Sequence, residues 1–189
     1  MARLRTRRAG PDDAAAIAAI YAPYVTDTVI SFETEPPSAA EIARRIAEIG
    51  EKYPWLVAED GGRIAGYVYA SQHSARAAYG WSADVTIYLH PDYHRQGLGK
   101  RLYGILFGLL ERQGFRSLYA GITLPNPASV ALHRAMGMSE VGVYRNVGFK
   151  SGAWRDVAWL GFSFPNDRAP EALPLRFDTL PASLAETSI

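Results

Sequence analysis

The stretch best equipped for chemistry is residues 94–101, His94-Arg95-Gln96-Gly97-Leu98-Gly99-Lys100-Arg101. It follows a strand-like run, Val85-Thr86-Ile87-Tyr88-Leu89, and opens an apolar periodicity that reads as a long amphipathic helix. Two glycines at that junction leave a row of backbone N–H groups uncovered at a helix N-terminus. Unpaired amides and the helix dipole both favour negative charge, so the loop is suited to phosphate oxygens. Arg95, Lys100 and Arg101 add cationic side chains beside it. A dinucleotide-binding turn would carry a third glycine and lie near the first strand. Here Leu102 stands in that glycine's place and the loop comes mid-chain. No Gly-Lys-Ser/Thr follows at the spacing of a P-loop. The expected ligand is a phosphate-bearing cofactor of another kind.

Composition bounds the alternatives. The chain has 189 residues, enough for one well-buried domain and few for two. Its formal net charge of +1 offers no surface-wide attraction to nucleic acid or membrane. It has no cysteine, which excludes disulfides, zinc–thiolate centres and a cysteine nucleophile and is compatible with a cytoplasmic location. No metal site is expected. The first eight residues are basic, but no apolar segment follows them, so a secretory signal is not expected. No apolar run is long enough to span a bilayer.

A scaffold that holds the glycine loop can be read from the flanking periodicities. Residues 3–9 read as a first strand. Pro11-Asp12-Asp13 then opens a helix with Ile17, Ile20, Tyr21 and Tyr24 on one face. After a loop over residues 26–37, Ser38-Ala39-Ala40-Glu41 has the form of a capping box before a second helix that turns Ile42, Ile46 and Ile49 inward. Strands over residues 55–59 and 63–70 flank Gly61-Gly62, a hairpin signal, and another strand covers residues 82–89. The helix after the glycine loop carries Leu98, Leu102, Ile105, Leu106, Leu109 and Leu110, with Gly114 as its left-handed cap. A strand over residues 117–123 leads to Asn126-Pro127, an N-cap and first-turn proline for a short helix reaching Gly137. Residues 140–148 and 153–162 read as a closing pair of strands. The order βααβββαβαββ is that of an α/β domain with a mixed sheet.

Further stretches stand in a set order: Ser31-Phe32-Glu33-Thr34-Glu35-Pro36, Gly66-Tyr67-Val68-Tyr69-Ala70, Ile122-Thr123-Leu124-Pro125-Asn126, Ser129-Val130-Ala131-Leu132-His133 and residues 147–157. Together with the glycine loop they resemble, over residues 3–162, the GNAT superfamily of acetyl-CoA-dependent N-acetyltransferases. Within it the chain is similar to the phosphinothricin and methionine sulfoximine N-acetyltransferase group. The resemblance implies a GNAT domain over residues 1–163, its mixed central sheet splayed between the middle strands and flanked by helices. Residues 164–189, rich in proline and polar residues, are expected to be an extended or poorly ordered extension. It further implies that the loop Gln96, Gly97, Leu98, Gly99, Lys100 and Arg101 cradles the pyrophosphate of acetyl-CoA. Tyr88 and Leu89 would offer backbone groups to the pantetheine arm, and Asn126 would reach the same arm. Members of the group are commonly homodimers, so a homodimer is the expectation, with Trp154 and Trp159 either in the core or at its interface.

Two positions depart from the group. His94 stands where Gln or Arg is usual, and Asp84 stands where a strand Glu is usual, one methylene shorter. Acetyl transfer to an amine needs the nitrogen deprotonated, the carbonyl oxygen held by a donor and the thiolate reprotonated. Asp84 is the first candidate for the base, acting through a water, against an alternative in which it merely pairs with Arg76. His133 lies where many relatives carry a general-acid tyrosine and can donate to the thiolate or share the base role. A backbone N–H beyond a bulge near Tyr88 is the candidate oxyanion donor. Phe32, Arg76 and Tyr79 are candidates for the acceptor pocket, Arg76 for a substrate carboxylate. Ser74 replaces a basic residue that many relatives carry, which weakens the case for phosphinothricin itself. The leading reading is acetylation of the amino group of a small amino acid or analogue by direct attack in a ternary complex. Acetylation of other amines or peptide N-termini, and a catalytically silent acyl-CoA-binding module, stay open as alternatives.

Overall fold

The computed structural model describes residues 4–165 and 169–188. Expectations for Arg3 and for part of the C-terminal extension lie outside them. Strand β1 (Arg5–Arg8) leads through a 3-10 turn into α1 (Ala14–Thr26), followed by α2 (Ala39–Gly50). Then come β2 (Trp55–Asp60), β3 (Arg63–Gln72), β4 (Ser82–Leu89), α3 (Leu98–Gln113), β5 (Ser117–Thr123), α4 (Pro127–Ala135), β6 (Ser139–Lys150) and β7 (Ala153–Ser163). A two-residue strand, β8 (Thr187–Ser188), closes the chain. The sheet runs β6-β7-β5-β4-β3-β2-β1-β8. Neighbours pair antiparallel except β4 and β5, which run parallel. This is the mixed sheet expected from the sequence.

Local signals account for the helix ends. Gly114 adopts φ 96° after α3, a left-handed cap that a side chain would strain. Asn126 caps α4 by accepting from the Ser129 N–H at 3.1 Å, and Pro127 fills the first turn. Ser38 caps α2 by accepting from the Glu41 N–H at 3.1 Å. The reciprocal half of the expected capping box does not form, because the Glu41 carboxylate turns to Arg44 and Arg45, each at 2.8 Å.

Two cores sandwich the sheet. On one side α3 buries Leu98, Leu102, Tyr103, Leu106 and Leu110 against Val68, Val85, Leu118 and Leu160. On the other, Ile17, Ile20 and Val25 of α1 and Ile42 and Ile46 of α2 cover Trp55, Val57 and Tyr67. Each fully buried leucine contributes roughly 1.5–3 kcal/mol, so α3 is firmly held and its N-terminus is fixed relative to β4. Alternation along β4 sends Ala83 and Val85 into the first core. Asp84, Thr86 and Tyr88 therefore share the opposite face.

Residues 169–188 of the extension beyond β7 make several contacts with the domain. Phe177 and Ala185 are buried in the first core. The Arg8 guanidinium lies 4.0 Å above the Phe177 ring. Leu175 exchanges hydrogen bonds with Gln113 through both its N–H, at 2.8 Å, and its carbonyl, at 2.6 Å. Finally β8 pairs with β1, Arg5 opposite Ser188 and Thr6 opposite Thr187.

Candidate active site

The parallel pair at the centre of the sheet holds together over only three residue pairs, ending at Asp84 opposite Tyr119. Beyond that point β4 stays with β3, in unbroken register up to Gly66 opposite Leu89, while β5 stays with β7 up to Thr123 opposite Val157. The strands therefore part, and the gap is lined by Val85, Thr86 and Tyr88 on one side and Ala120, Gly121 and Thr123 on the other. No bulge interrupts β4 against β3, contrary to the expectation near Tyr88. The ladder opens instead by loss of the β5 partner, which leaves main-chain groups of both strands facing the gap.

At the outer end of the gap lies the glycine loop. Gly97 is the N-cap of α3 at φ 79° and contributes no side-chain cap. The first intrahelical bond runs from the Arg101 N–H to the Gly97 carbonyl at 3.2 Å, so the N–H groups of Leu98, Gly99 and Lys100 precede any helical partner. Arg95 is also left-handed, at φ 58°, and the two turned residues bend the loop into a concave nest. A cavity of about 630 Å³ opens there, lined by Leu89, His94, Arg95, Gly97, Leu98, Gly99, Lys100 and Asn126. A Cβ on Gly97 would point into open space, but the left-handed backbone resists any side chain; a Cβ on Gly99 would press on Leu132 at 3.1 Å. Gln96 and Arg101 do not line the cavity. The Gln96 amide folds back to the Asp92 carbonyl at 2.6 Å, and Arg101 is exposed, its N–H already spent inside the helix. The Leu89 carbonyl accepts from Tyr24 Oη at 2.7 Å, and the His94 ring closes on both.

At the inner end lies a second cavity of about 630 Å³, lined by Ser31, Phe32, Glu33, Tyr69, Thr86, Tyr144 and Trp159, among others. Phe32, expected in the acceptor pocket, lines it and is 39% exposed. Its ring lies against Gly148, where any Cβ would collide with it. The Glu33 carboxylate accepts from Arg45 at 2.7 Å and from Tyr21 Oη at 3.1 Å. Arg76 does not line this cavity: it is exposed at the start of a 3-10 turn, Ala77–Tyr79. Tyr79, 44% exposed, lines neither cavity and makes an edge contact with His73.

Asp84 sits two residues from Thr86 on the same face of β4. Its partner is His73, with Nδ1 at 2.6 Å from the carboxylate, rather than Arg76. Burial pushes the Asp84 carboxyl above its usual range, and the His73 hydrogen bond opposes that shift. The sequence reading missed His73. The signal lies in the register: Ser71 opposes Asp84, which makes the residue two beyond Ser71 a diagonal neighbour.

His133 lines the gap together with Tyr103, Asn126 and Ser129. Both its nitrogens are engaged, Nδ1 with the Ser129 carbonyl at 2.7 Å and Nε2 with Tyr103 Oη at 2.8 Å. The carbonyl can only accept, so Nδ1 carries the proton and Nε2 accepts from Tyr103. Burial lowers the His133 pKa, against the hydrogen bond to Ser129. The ring is thus held neutral, and a proton leaving this corner of the gap would come from the Tyr103–His133 pair rather than from a free imidazolium. Among the described residues no group of three or more His, Cys, Asp or Glu side chains is arranged to hold a metal ion.

Comparison with known proteins gives the arrangement a family. The family described as an acetyltransferase (GNAT) domain matches residues 7–159. The chain is 40% identical over 153 residues to a phosphinothricin N-acetyltransferase of Streptomyces viridochromogenes, covering 81% of this chain and 84% of that protein. It is 30% identical over 170 residues to an L-methionine sulfoximine/L-methionine sulfone acetyltransferase of Pseudomonas aeruginosa, covering 87% and 97%. Among solved structures, a phosphinothricin acetyltransferase from Sinorhizobium meliloti in complex with acetyl-CoA superposes with a TM-score of 0.85 at 36% identity, covering 92% of this chain and 96% of that one. The opened parallel pair, the nest at the start of α3 and these matches make the chain an N-acetyltransferase belonging to the GNAT family.

Proposed function

We propose that the protein transfers the acetyl group of acetyl-CoA to the amino group of a small amino acid or a close analogue, of the phosphinothricin or methionine sulfoximine kind. One observation carries this reading. Tyr88 borders the loop cavity, the gap between β4 and β5 and the inner cavity alike, so a single cleft leads from the nest to the acceptor side. In this reading the main-chain amides of Leu98, Gly99 and Lys100 hold the pyrophosphate, with Arg95 and Lys100 beside them. The pantetheine arm runs along Tyr88 and past Asn126, and the thioester reaches the gap near Thr86. The acceptor lies between Phe32, Glu33 and Trp159, where the carboxylate wall suits an ammonium group. Proton removal falls to Asp84 through a water, since Asp84 borders none of the three cavities itself, and the thiolate is reprotonated from the Tyr103–His133 corner. The absence of a cysteine supports direct attack over an acetyl-enzyme.

Two coarser features join the proposal. Phe149 and Trp154, each 61% exposed and in edge contact at 5.5 Å, sit with exposed Val141 and Tyr144 on the β6–β7 hairpin. That apolar surface supports a homodimer formed through this end of the sheet. A cytoplasmic location follows from a donor that is an intracellular metabolite; no helix among the described residues is long and apolar enough to cross a membrane. A thiol-release assay over free amino acids and analogues, run beside calorimetry with acetyl-CoA, tests the reading. Turnover on a free amino acid or analogue supports it. Tight binding without turnover across the panel would favour a silent module, and turnover confined to peptides would favour N-terminal acetylation.

A further inference from the structure

We infer that the base of this enzyme is a pair, with His73 taking the proton of the substrate ammonium and Asp84 holding the imidazole in the tautomer that can do so. This deepens the proposed amino-acid acetylation and rests on it. The Asp84 carboxylate lies 2.6 Å from His73 Nδ1. An ionised carboxylate can only accept, so Nδ1 carries the hydrogen and Nε2 keeps the lone pair. No other hydrogen-bond partner of His73 occurs among the described residues. The ring is clamped flat: it stacks on Tyr119 at 4.5 Å and meets Tyr79 and Trp159 edge-on at 5.7 and 6.0 Å. Trp159 lines the acceptor cavity, and the His73–Asp84 pair lies behind it, neither residue bordering that cavity. The imidazole side chain is 22% exposed, so in this proposal one water carries the proton between the cavity and the ring.

The step balances. The ammonium gives one proton to His73 Nε2 through one water, and the electrons of that N–H bond become the nitrogen lone pair. That pair forms the new C–N bond at the thioester carbon as the C–S bond breaks. The second nitrogen proton ends on the departing sulfur, and His73 returns its proton to solvent. The titratable groups around the pair are Tyr79 and Tyr119 against the ring, and Tyr53 and Tyr69, which feel the Asp84 charge.

The test uses the full-length enzyme. Replacing His73 by Gly is expected to lower kcat at least about a hundredfold, with KM for acetyl-CoA unchanged and activity partly restored by added imidazole. His73→Asn, which keeps a donor for Asp84, is expected to stay slow and to lose the ascending limb of the pH–rate profile. Retained kcat and an unchanged profile in His73→Asn would overturn the inference. So would a nitrogen-15 spectrum of the histidines showing the hydrogen of His73 on Nε2 at neutral pH. That spectrum needs no acceptor: if wild-type enzyme acetylates no amino acid, the proposed function fails, while the tautomer still decides whether the pair is built as described.

Discussion

Lys150, at the end of β6, donates through Nζ to the Ser31 carbonyl at 2.6 Å and is buried there. The same ammonium also reaches the carbonyls of Val25 and Glu33, at 2.7 and 2.9 Å. One side chain thus ties the β6–β7 hairpin to the loop that carries Phe32 and Glu33 into the acceptor cavity. Three carbonyls that β-pairing does not use find their donor in it. Burial pulls the Lys150 pKa down, with the nearby Glu33 charge opposing the shift.

Lys150→Met keeps the length of the side chain and removes the donor. Leaving buried carbonyls unpaired costs about 1–3 kcal/mol, so chemical denaturation should show a loss of that order. The Phe32 loop should also loosen, raising KM for the acceptor more than KM for acetyl-CoA. Equal changes in both constants would separate Lys150 from the acceptor side.

Asp84→Asn leaves an oxygen that can accept from His73 but removes the carboxylate charge, with little change in volume. Turnover is expected to fall at least about tenfold, while acetyl-CoA binding measured by calorimetry persists. An unaltered pH–rate profile in this variant would take Asp84 out of the mechanism.

Gly97→Val should abolish acetyl-CoA binding. The backbone at φ 79° disfavours a β-branched residue, and relaxing it would turn the amides of Leu98 and Gly99 away from a common ligand. Calorimetry reads the loss directly. Gly104, in the interior of the same helix with open space around its Cβ position, is the control: Gly104→Ala should leave binding intact.

His133 makes a prediction about stability and pH. Its folded-state pKa lies below the ordinary histidine value of 6.5, chiefly through burial. Below that value the unfolded chain takes up a proton that the folded protein refuses, so stability is present above about pH 6.5 and declines as pH falls toward the folded pKa. Thermal melts of wild type and His133→Gln across pH 5–8 should converge at the acid end. A constant gap between the two curves would mean that the ring is not held neutral.

Much of this site was legible locally. Gly114, Asn126 and the Gly97–Gly99 pair each act through the backbone within a few residues, so their roles show in the sequence itself. What escaped depended on distant segments. His73 and Asp84 meet only because the β3–β4 hairpin sets Ser71 opposite Asp84, a register that no short motif declares. Nothing local marks Lys150 as buried; the fold alone brings it the carbonyls of Val25, Ser31 and Glu33. Arg76 has the right chemistry for a carboxylate, yet its 3-10 turn leaves it outside the cavity. The extension's proline-rich composition gives no sign of the contacts that Phe177 makes with Arg8 and the first core.

The docking of β8 against β1 has a further consequence for assembly. A sheet with two open borders can recruit copies at both and grow without limit. Here one border is β8, a strand of two residues paired only with Arg5 and Thr6, while the long strand β6 forms the other. So short an edge strand is a poor template for another sheet, which blunts edge-to-edge growth at the β8 border.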